Sequence, residues 1–335
     1  MIDVALDLPR MRQMSVGMRA YAEELATRLP RVAPDLAFAV ETRTSYLDCV
    51  EQVDLPRRLR RLRPRLVHHL SVYAPLLGPR PYAITIHDLI HLRYPAHFKR
   101  SVGPYYRTIV RAVCARAARV IVDDPRTIGD LERYLGVPPE KVRVVPLGID
   151  ETYLEDVVPA PAPRPYAIYA GNRRPHKDLG TLFAAWAALP SELELDLALT
   201  GDRDPAEPPP PERARGRVRF LGALATPALA SAYAGAVALV YPSLCEGFGL
   251  PMLEAAACGT PVIASDSALP GVLRPIARTF AARDTAALGA MLLAVARAPR
   301  RDAAGRALAR SFTWDRCALA TAQVYREILR ETVPQ

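Results

Sequence analysis

The stretch A-V-A-L-V-Y-P-S-L-C-E-G-F-G-L-P-M-L-E-A-A-A-C-G-T-P-V-I-A-S, residues 236 to 265, decides how the chain is read. Its first eight residues are an apolar run of strand length, and P-V-I-A-S (261 to 265) is another. Between them Gly247 and Gly249 let the backbone turn sharply and approach a ligand closely. Pro251 stands where a first helical residue belongs and Gly259 just past the end, which predicts a helix from about Leu250 to Cys258. A strand, a glycine loop, a helix and a strand make one unit of a parallel sheet. Open sheets of this kind bind ligands at the carboxyl ends of their strands, where helix N-termini favour phosphate oxygens. Glu246 in the loop and Glu254 on the helix could there accept hydrogen bonds from sugar hydroxyls, since a carboxylate accepts and a hydroxyl can donate. The competing reading is that Glu254 complements the helix dipole and Glu246 is solvated. Geometry alone weighs the two equally.

The same alternation runs through the chain. Strands are predicted at V-A-L-D-L (4 to 8), A-F-A-V (37 to 40), L-V-H-H-L (66 to 70), Y-A-I-T-I-H-D (82 to 88), R-V-I-V-D (119 to 123) and near K-V-R-V-V-P-L-G-I-D (141 to 150), with a helix over 18 to 29. Four prolines in E-D-V-V-P-A-P-A-P-R-P (155 to 165) favour an extended connection, and the domain boundary is placed there. A second series follows at 166 to 171, 193 to 201, 217 to 222, 236 to 243 and 261 to 265, with a helix over 179 to 189. The expected division is 1–154, 155–310, and a last helix in 311–335 that packs back toward the first domain. The proline-rich segment 204 to 213 reads as an exposed loop.

Composition narrows the class. Half of the 335 residues are apolar and 24% are charged, as in ordinary globular proteins. Residues 1 to 10 carry two aspartates and read as a first strand rather than a signal peptide, and no run reaches the roughly 18 apolar residues that a membrane span needs. The expectation is a cytosolic protein. Five scattered cysteines, without a C-x-x-C pair or a histidine at zinc spacing, read as reduced thiols, so no metal is expected. The net charge of +9 is concentrated in residues 1 to 150, with 24 Lys and Arg against 16 Asp and Glu. The densest runs are R-R-L-R-R-L-R-P-R (57 to 65) and the zone from Arg93 to Arg119. They suit an anionic partner such as membrane headgroups, or are simply a solvated arginine-rich surface. A nucleic-acid partner is not expected, because no aromatic-interleaved basic motif or known module is present.

S-L-C-E-G-F-G-L-P-M-L-E-A-A-A-C-G-T-P-V-I-A-S resembles the E-x7-E motif of glycosyltransferase family four, the large retaining family with the GT-B fold. Y-A-G-N-R-R-P-H-K-D (169 to 178), T-I-H-D-L (85 to 89), G-V-P-P-E-K-V-R-V-V-P-L-G-I-D (136 to 150) and S-F-T-W-D-R (311 to 316) are similar to further segments of that family. The resemblance implies an α/β chain of two Rossmann-like doubly wound domains facing across a cleft, the first holding the acceptor and the second a nucleotide-sugar. It implies that Glu254 binds the ribose and Glu246 the donor sugar, with Gly247, Phe248, Gly249 and Leu250 lining the sugar and phosphates. Lys177 and an arginine, Arg173 or Arg174, would stabilise the departing diphosphate without metal. His87 would lie beside the donor sugar, and Gly17 would open a helix toward the diphosphate. Two departures stand out. The Gly17 loop is poorer in glycine than is usual, and Asp123 and Asp124 stand where a serine is usual.

The implied reaction moves a hexose to a hydroxyl of a glycan or lipid-linked acceptor with retention, and needs no cofactor. The mannosyltransferase-like branch makes GDP-mannose the first expected donor and a UDP-sugar the second. Peripheral contact at the inner membrane face would use the basic first domain. The rival readings are a glycoside hydrolase using both glutamates as acid and base, a GT-B epimerase or phosphorylase, and a charge-driven nucleic-acid binder.

Overall fold

A computed structural model describes residues 1–9, 14–43, 50–203, 210–212 and 216–332. Arg12, Gln13, Cys49 and most of the proline-rich 204 to 213 segment lie outside the described residues. The chain forms two compact units, Met1–Gly148 with Phe312–Gln335, and Ile149–Ser311.

In the first unit β1 (Val4–Pro9), β2 (Phe38–Arg43), β3 (Leu66–His69), β4 (Tyr82–Thr85), β5 (Arg119–Val122) and β6 (Val142–Val144) form one sheet in the order β2-β1-β3-β4-β5-β6. Every pairing is parallel. Strands β1, β3 and β4 are buried along their whole length, as a sheet covered on both faces requires, whereas edge strand β2 is half exposed. A buried ion pair sits inside this apolar layer. Asp7 accepts from Arg43 Nε and from His69 Nδ1, each at 2.8 Å, and all three side chains are essentially closed off from water.

The basic run 57 to 65 lies largely on a helix, Glu51–Leu62, which the sequence reading does not identify because Pro56 interrupts its pattern. Leu55 and Leu59 turn inward, and Arg57, Arg60 and Arg61 are exposed. His87 and Asp88 also lie beyond their expected strand, since β4 ends at Thr85.

The C-terminal helix Trp314–Glu331 belongs to the first unit. Its apolar stripe of Trp314, Cys317, Thr321, Tyr325 and Ile328 is buried at helical spacing, and Thr313 Oγ1 caps it by accepting from Arg316 N at 3.2 Å. Arg28 and Arg31 of the first helix, Val16–Val32, both donate to Asp315. Arg143 and Arg119 converge on Glu327 and hold its carboxyl down to about 2 against the effect of burial. Deeper in, His68 Nδ1 and Tyr325 OH share a hydrogen bond of 2.6 Å, and His68 Nε2 lies 2.9 Å from Thr85 Oγ1. Burial pushes the His68 imidazole down to about 3, so it stays neutral. Where this segment re-enters the unit it crosses Gly148 so closely that a Cβ there would lie 2.2 Å from Trp314 N.

In the second unit β7 (Tyr166–Tyr169), β8 (Asp196–Leu199), β9 (Val218–Phe220), β10 (Ala238–Tyr241), β11 (Val262–Ser265) and β12 (Ala277–Phe280) run in the order β12-β11-β10-β7-β8-β9, all parallel. Strand β12, A-R-T-F, escapes the sequence reading because an edge strand with exposed Arg278 and Thr279 lacks an apolar run.

Tyr325→Phe leaves a buried imidazole nitrogen without its partner and is expected to cost about 1–3 kcal/mol. The readout is a lower urea midpoint at unchanged slope. An unmoved midpoint would show that this hydroxyl does not tie the helix to the sheet.

Candidate functional site

Strand order in the second unit reverses beside β7. From there the chain builds β8 and β9 on one side, then crosses to β10, β11 and β12 on the other. The crevice at such a reversal, outside the carboxyl ends of the two central strands, is where open α/β sheets take ligands. The loops that leave β7 and β10 carry Arg173, Arg174 and Lys177, and Glu246 to Gly249. Leu244 N donates to His176 O at 2.8 Å and ties the loops together.

Lys177 Nζ donates to both oxygens of Glu246, at 2.6 and 2.8 Å, with 9% and 8% of the two side chains exposed. The ammonium also lies 3.4 Å from Tyr241 OH and 5.4 Å from the Tyr241 ring centroid. Tyr169 stacks on Tyr241 at 6.0 Å and backs that contact. Arg173 takes another direction. Its guanidinium lies over the Phe220 ring and donates to the carbonyls of Thr200 and Asp202, past the end of β8. Arg174 is exposed, and its backbone N–H donates to Asn172 Oδ1 at 3.3 Å.

The helix that follows β10 spans Leu250–Ala257 and has Gly249 as its N-cap, at φ 79°. That backbone conformation disfavours any side chain at Gly249; a Cβ there would also meet Met252 Cε at 2.2 Å, a contact that the end of a flexible methionine can yield. No side chain caps this end, and Pro251 in the first turn has no N–H to satisfy. Phe248 is buried before it. The helix closes with Gly259 N on Ala256 O and Thr260 N on Ala255 O, the paired bonds of a Schellman end.

Glu254 lies a full turn into this helix and accepts from Tyr233 OH at 3.2 Å. Burial pushes its carboxyl up to about 7; the Tyr233 bond opposes this and Asp150 adds to it. Thus Glu246 is held by an ammonium and Glu254 by a phenol. The two carboxylates have different partners and stand on different elements, one in the loop and one a turn into the helix.

In the first unit Gly17 is in the opening turn of the helix Val16–Val32, whose cap Ser15 Oγ accepts from Met18 N at 3.3 Å. His87 shares a 2.7 Å hydrogen bond through Nδ1 with Asp123 Oδ2, and its ring meets the Tyr21 ring edge-on at 4.8 Å. Burial alone would depress His87, but the Asp123 carboxylate overrides it and raises the imidazole above its ordinary range. His91 packs against Phe98 and Tyr106, and His97 against Tyr94, as parts of an aromatic cluster.

The sequence reading did not find Tyr241, Tyr233 or the function of Asp123. Tyr241 was signalled by its place at a strand end; Tyr233 carries no local signal, since only packing brings its helix to Glu254. Among the described residues no cluster of three or more His, Cys, Asp or Glu could hold a metal ion, and no helix is long and apolar enough to cross a membrane.

Two family models match the chain: Glycosyltransferase Family 4 over residues 16–153, and Glycosyl transferases group 1 over residues 164–297. The chain is 27% identical over 296 residues to the O-antigen chain mannosyltransferase B of Escherichia coli, covering 81% of this chain and 77% of that protein. It is 29% identical over 196 residues to the O-antigen chain mannosyltransferase RfbU of Salmonella typhimurium, covering 57% of this chain and 53% of that one. Among solved structures it is similar to Anabaena HepE in complex with UDP-glucose, at a TM-score of 0.72 and 16% identity, over 96% of this chain and 99% of that one.

Breaking the Lys177–Glu246 pair from either side leaves a buried charge. Lys177→Met or Glu246→Gln alone is expected to cost about 3–5 kcal/mol, and the double variant less than the sum. Urea unfolding of all four proteins measures the coupling; strictly additive losses would mean the pair is not formed in solution.

Proposed function

The chain belongs to glycosyltransferase family four and has the GT-B fold, and on that footing we propose that it moves a hexose, mannose in the first instance, from a nucleoside-diphosphate sugar to a hydroxyl of a glycan or lipid-linked acceptor. The anomeric configuration is retained and no metal takes part. The observation that carries this reading is the Lys177–Glu246 pair, held beside the uncapped Gly249 helix start at the strand reversal. An ammonium has three donors, so Lys177 can keep Glu246 and still meet a diphosphate oxygen as negative charge develops there. Arg173 or Arg174 is the second cation of this reading, and Arg173 has to leave the Thr200 and Asp202 carbonyls to serve the leaving group.

With Lys177 on one side, Glu246 accepts from a hydroxyl of the transferred sugar, and the amides of the 247 to 250 segment serve the sugar and phosphates. Gly17 serves the diphosphate from the first unit, and His87 donates to the sugar. The leaving phosphate oxygen takes the acceptor proton as the new glycosidic bond forms, so no protein nucleophile is needed. Two relatives named as O-antigen mannosyltransferases support mannose and a polysaccharide acceptor. The UDP-glucose bound by the HepE structure keeps a UDP-sugar as the second donor. Exposed Arg57, Arg60 and Arg61 support an anionic, lipid-linked acceptor at a membrane face.

The donor is tested by thermal shift with GDP, UDP and ADP, followed by transfer assays with the matching nucleotide-sugars. Preferential stabilisation by GDP, on the order of 3 kcal/mol at a hundredfold excess over Kd, is expected. Preference for UDP or ADP would remove mannose as the first choice, and no transfer or donor hydrolysis with any nucleotide-sugar would remove the enzyme.

Glu254 is the residue proposed for the ribose. A diol donates best to an ionised carboxylate, so with the free group near 7 the nucleotide-sugar should bind roughly tenfold tighter at pH 8 than at pH 6. Glu254→Gln should bind more weakly and without this dependence. A flat profile for the unaltered protein would take Glu254 off the ribose.

A further inference from the structure

Asp123 and Asp124 are adjacent in sequence but have different functions. Asp124 holds its own turn, with Oδ1 accepting from Arg126 N at 2.9 Å and from Arg126 Nε at 2.8 Å. Asp123 is buried and turned to His87. The sheet register leads to this meeting: Thr85 pairs with Ile121, Ile86 N donates to Ile121 O at 2.9 Å, and just past the two strand ends His87 and Asp123 come side by side.

The contact constrains the ring. A carboxylate on Nδ1 keeps a proton there, so a neutral His87 presents Nε2 as an acceptor and only the cation presents Nε2–H as a donor. His87 Nε2 is buried and, among the described residues, has no hydrogen-bond partner; Asp123 Oδ1 is in the same condition. An enclosed nitrogen left unsatisfied costs stability and is tolerated where a ligand completes it.

The charges around the ring are few. Burial opposes the cation, Asp123 and, beside it in the chain, Asp88 favour it, and His68 on β3 stays neutral. Tyr21 packs at right angles to the ring from the first helix; burial, Asp88 and Asp124 push the Asp123 carboxyl up while His87 pulls it down, and Asp123 in turn raises the Cys317 thiol on the C-terminal helix. A serine at this place would accept from Nδ1 without bringing a charge.

We propose that Asp123 is a positioning residue for the transfer reaction, holding His87 through Nδ1 as the cation so that Nε2–H is the hydrogen-bond donor to a hydroxyl of the transferred sugar. This rests on the glycosyltransferase reading above and adds to it the protonation state in which His87 works.

The test uses the full chain and two readouts. Long-range proton–nitrogen NMR of the His87 ring, without any ligand, should show Nδ1 protonated throughout and a midpoint above the ordinary imidazole value. In Asp123→Asn, which keeps an acceptor and removes the charge, the midpoint should drop by at least about one pH unit. Transfer is then measured against pH. In Asp123→Asn, kcat should be about tenfold down at pH 8 and close to the unaltered protein at pH 6, with donor KM within about twofold at both. Asp123→Ser carries the same measurements if the asparagine variant does not fold.

A His87 midpoint that does not move, a kcat loss equal at both pH values, or a loss expressed in KM overturns the proposal. If the unaltered protein transfers nothing from any nucleotide-sugar, the reading of the reaction falls, and the ring titration still decides whether Asp123 holds the cation.

Discussion

Reversing the strand order beside β7 forces two segments far apart in the chain to leave the second sheet side by side, and it is there that a lysine and a glutamate are buried against each other. An isolated ammonium or carboxylate at that depth would be costly to keep charged. Each makes the other tolerable. The surrounding sequence follows from that requirement: Tyr169 and Tyr241 give the ammonium an aromatic wall, the Leu244 amide and the His176 carbonyl join the loops, and Gly249 starts a helix without adding a side chain. The pair is already formed without a ligand, so neither partner has to be brought in when one arrives.

The two units solve the same problem with different chemistry. In the second unit the buried polar groups sit at the strand ends, Lys177 and Ser243 past the carboxyl ends and Asp196 and Thr260 at the starts, and the middle of the sheet is apolar. In the first they penetrate the sheet: Asp7, Arg43 and His69 form one group, His68, Thr85, Tyr21 and Tyr325 another, and His87 with Asp123 a third. Buried polar groups linked in this way add little net stability over a packed apolar core, but a shifted register would strand several of them at once.

Most strands and the helix after β10 could be read from the chain because burial on both faces writes continuous apolar runs, and because Pro251 and Gly259 punctuate that helix. Edge strand β12 and the helix over 51 to 62 could not, the first because its exposed face carries Arg278 and Thr279, the second because Pro56 falls inside it. The candidate site divides along the same line. Glu246, Glu254, Lys177 and His87 were visible through local motifs, whereas what each of them touches was not. Lys177 meets Glu246 only because β7 neighbours β10, Glu254 meets Tyr233 only through helix packing, and Asp123 meets His87 only because β4 neighbours β5. Strand adjacency is a property of topology, and one sequence does not spell it out.

The return of the chain past Gly148 has a bearing on how the protein is made. The first unit contains the beginning and the end of the chain, so residues 149 to 311 are an insertion into it. During synthesis the strands β1 to β6 emerge long before the helix Trp314–Glu331 that packs on them, and His68 waits for Tyr325 until residues 149 to 311 have been translated. The inserted unit is continuous and can close before that helix arrives. Truncations within the helix should therefore act as folding defects of the first unit, far in sequence from the strands they expose.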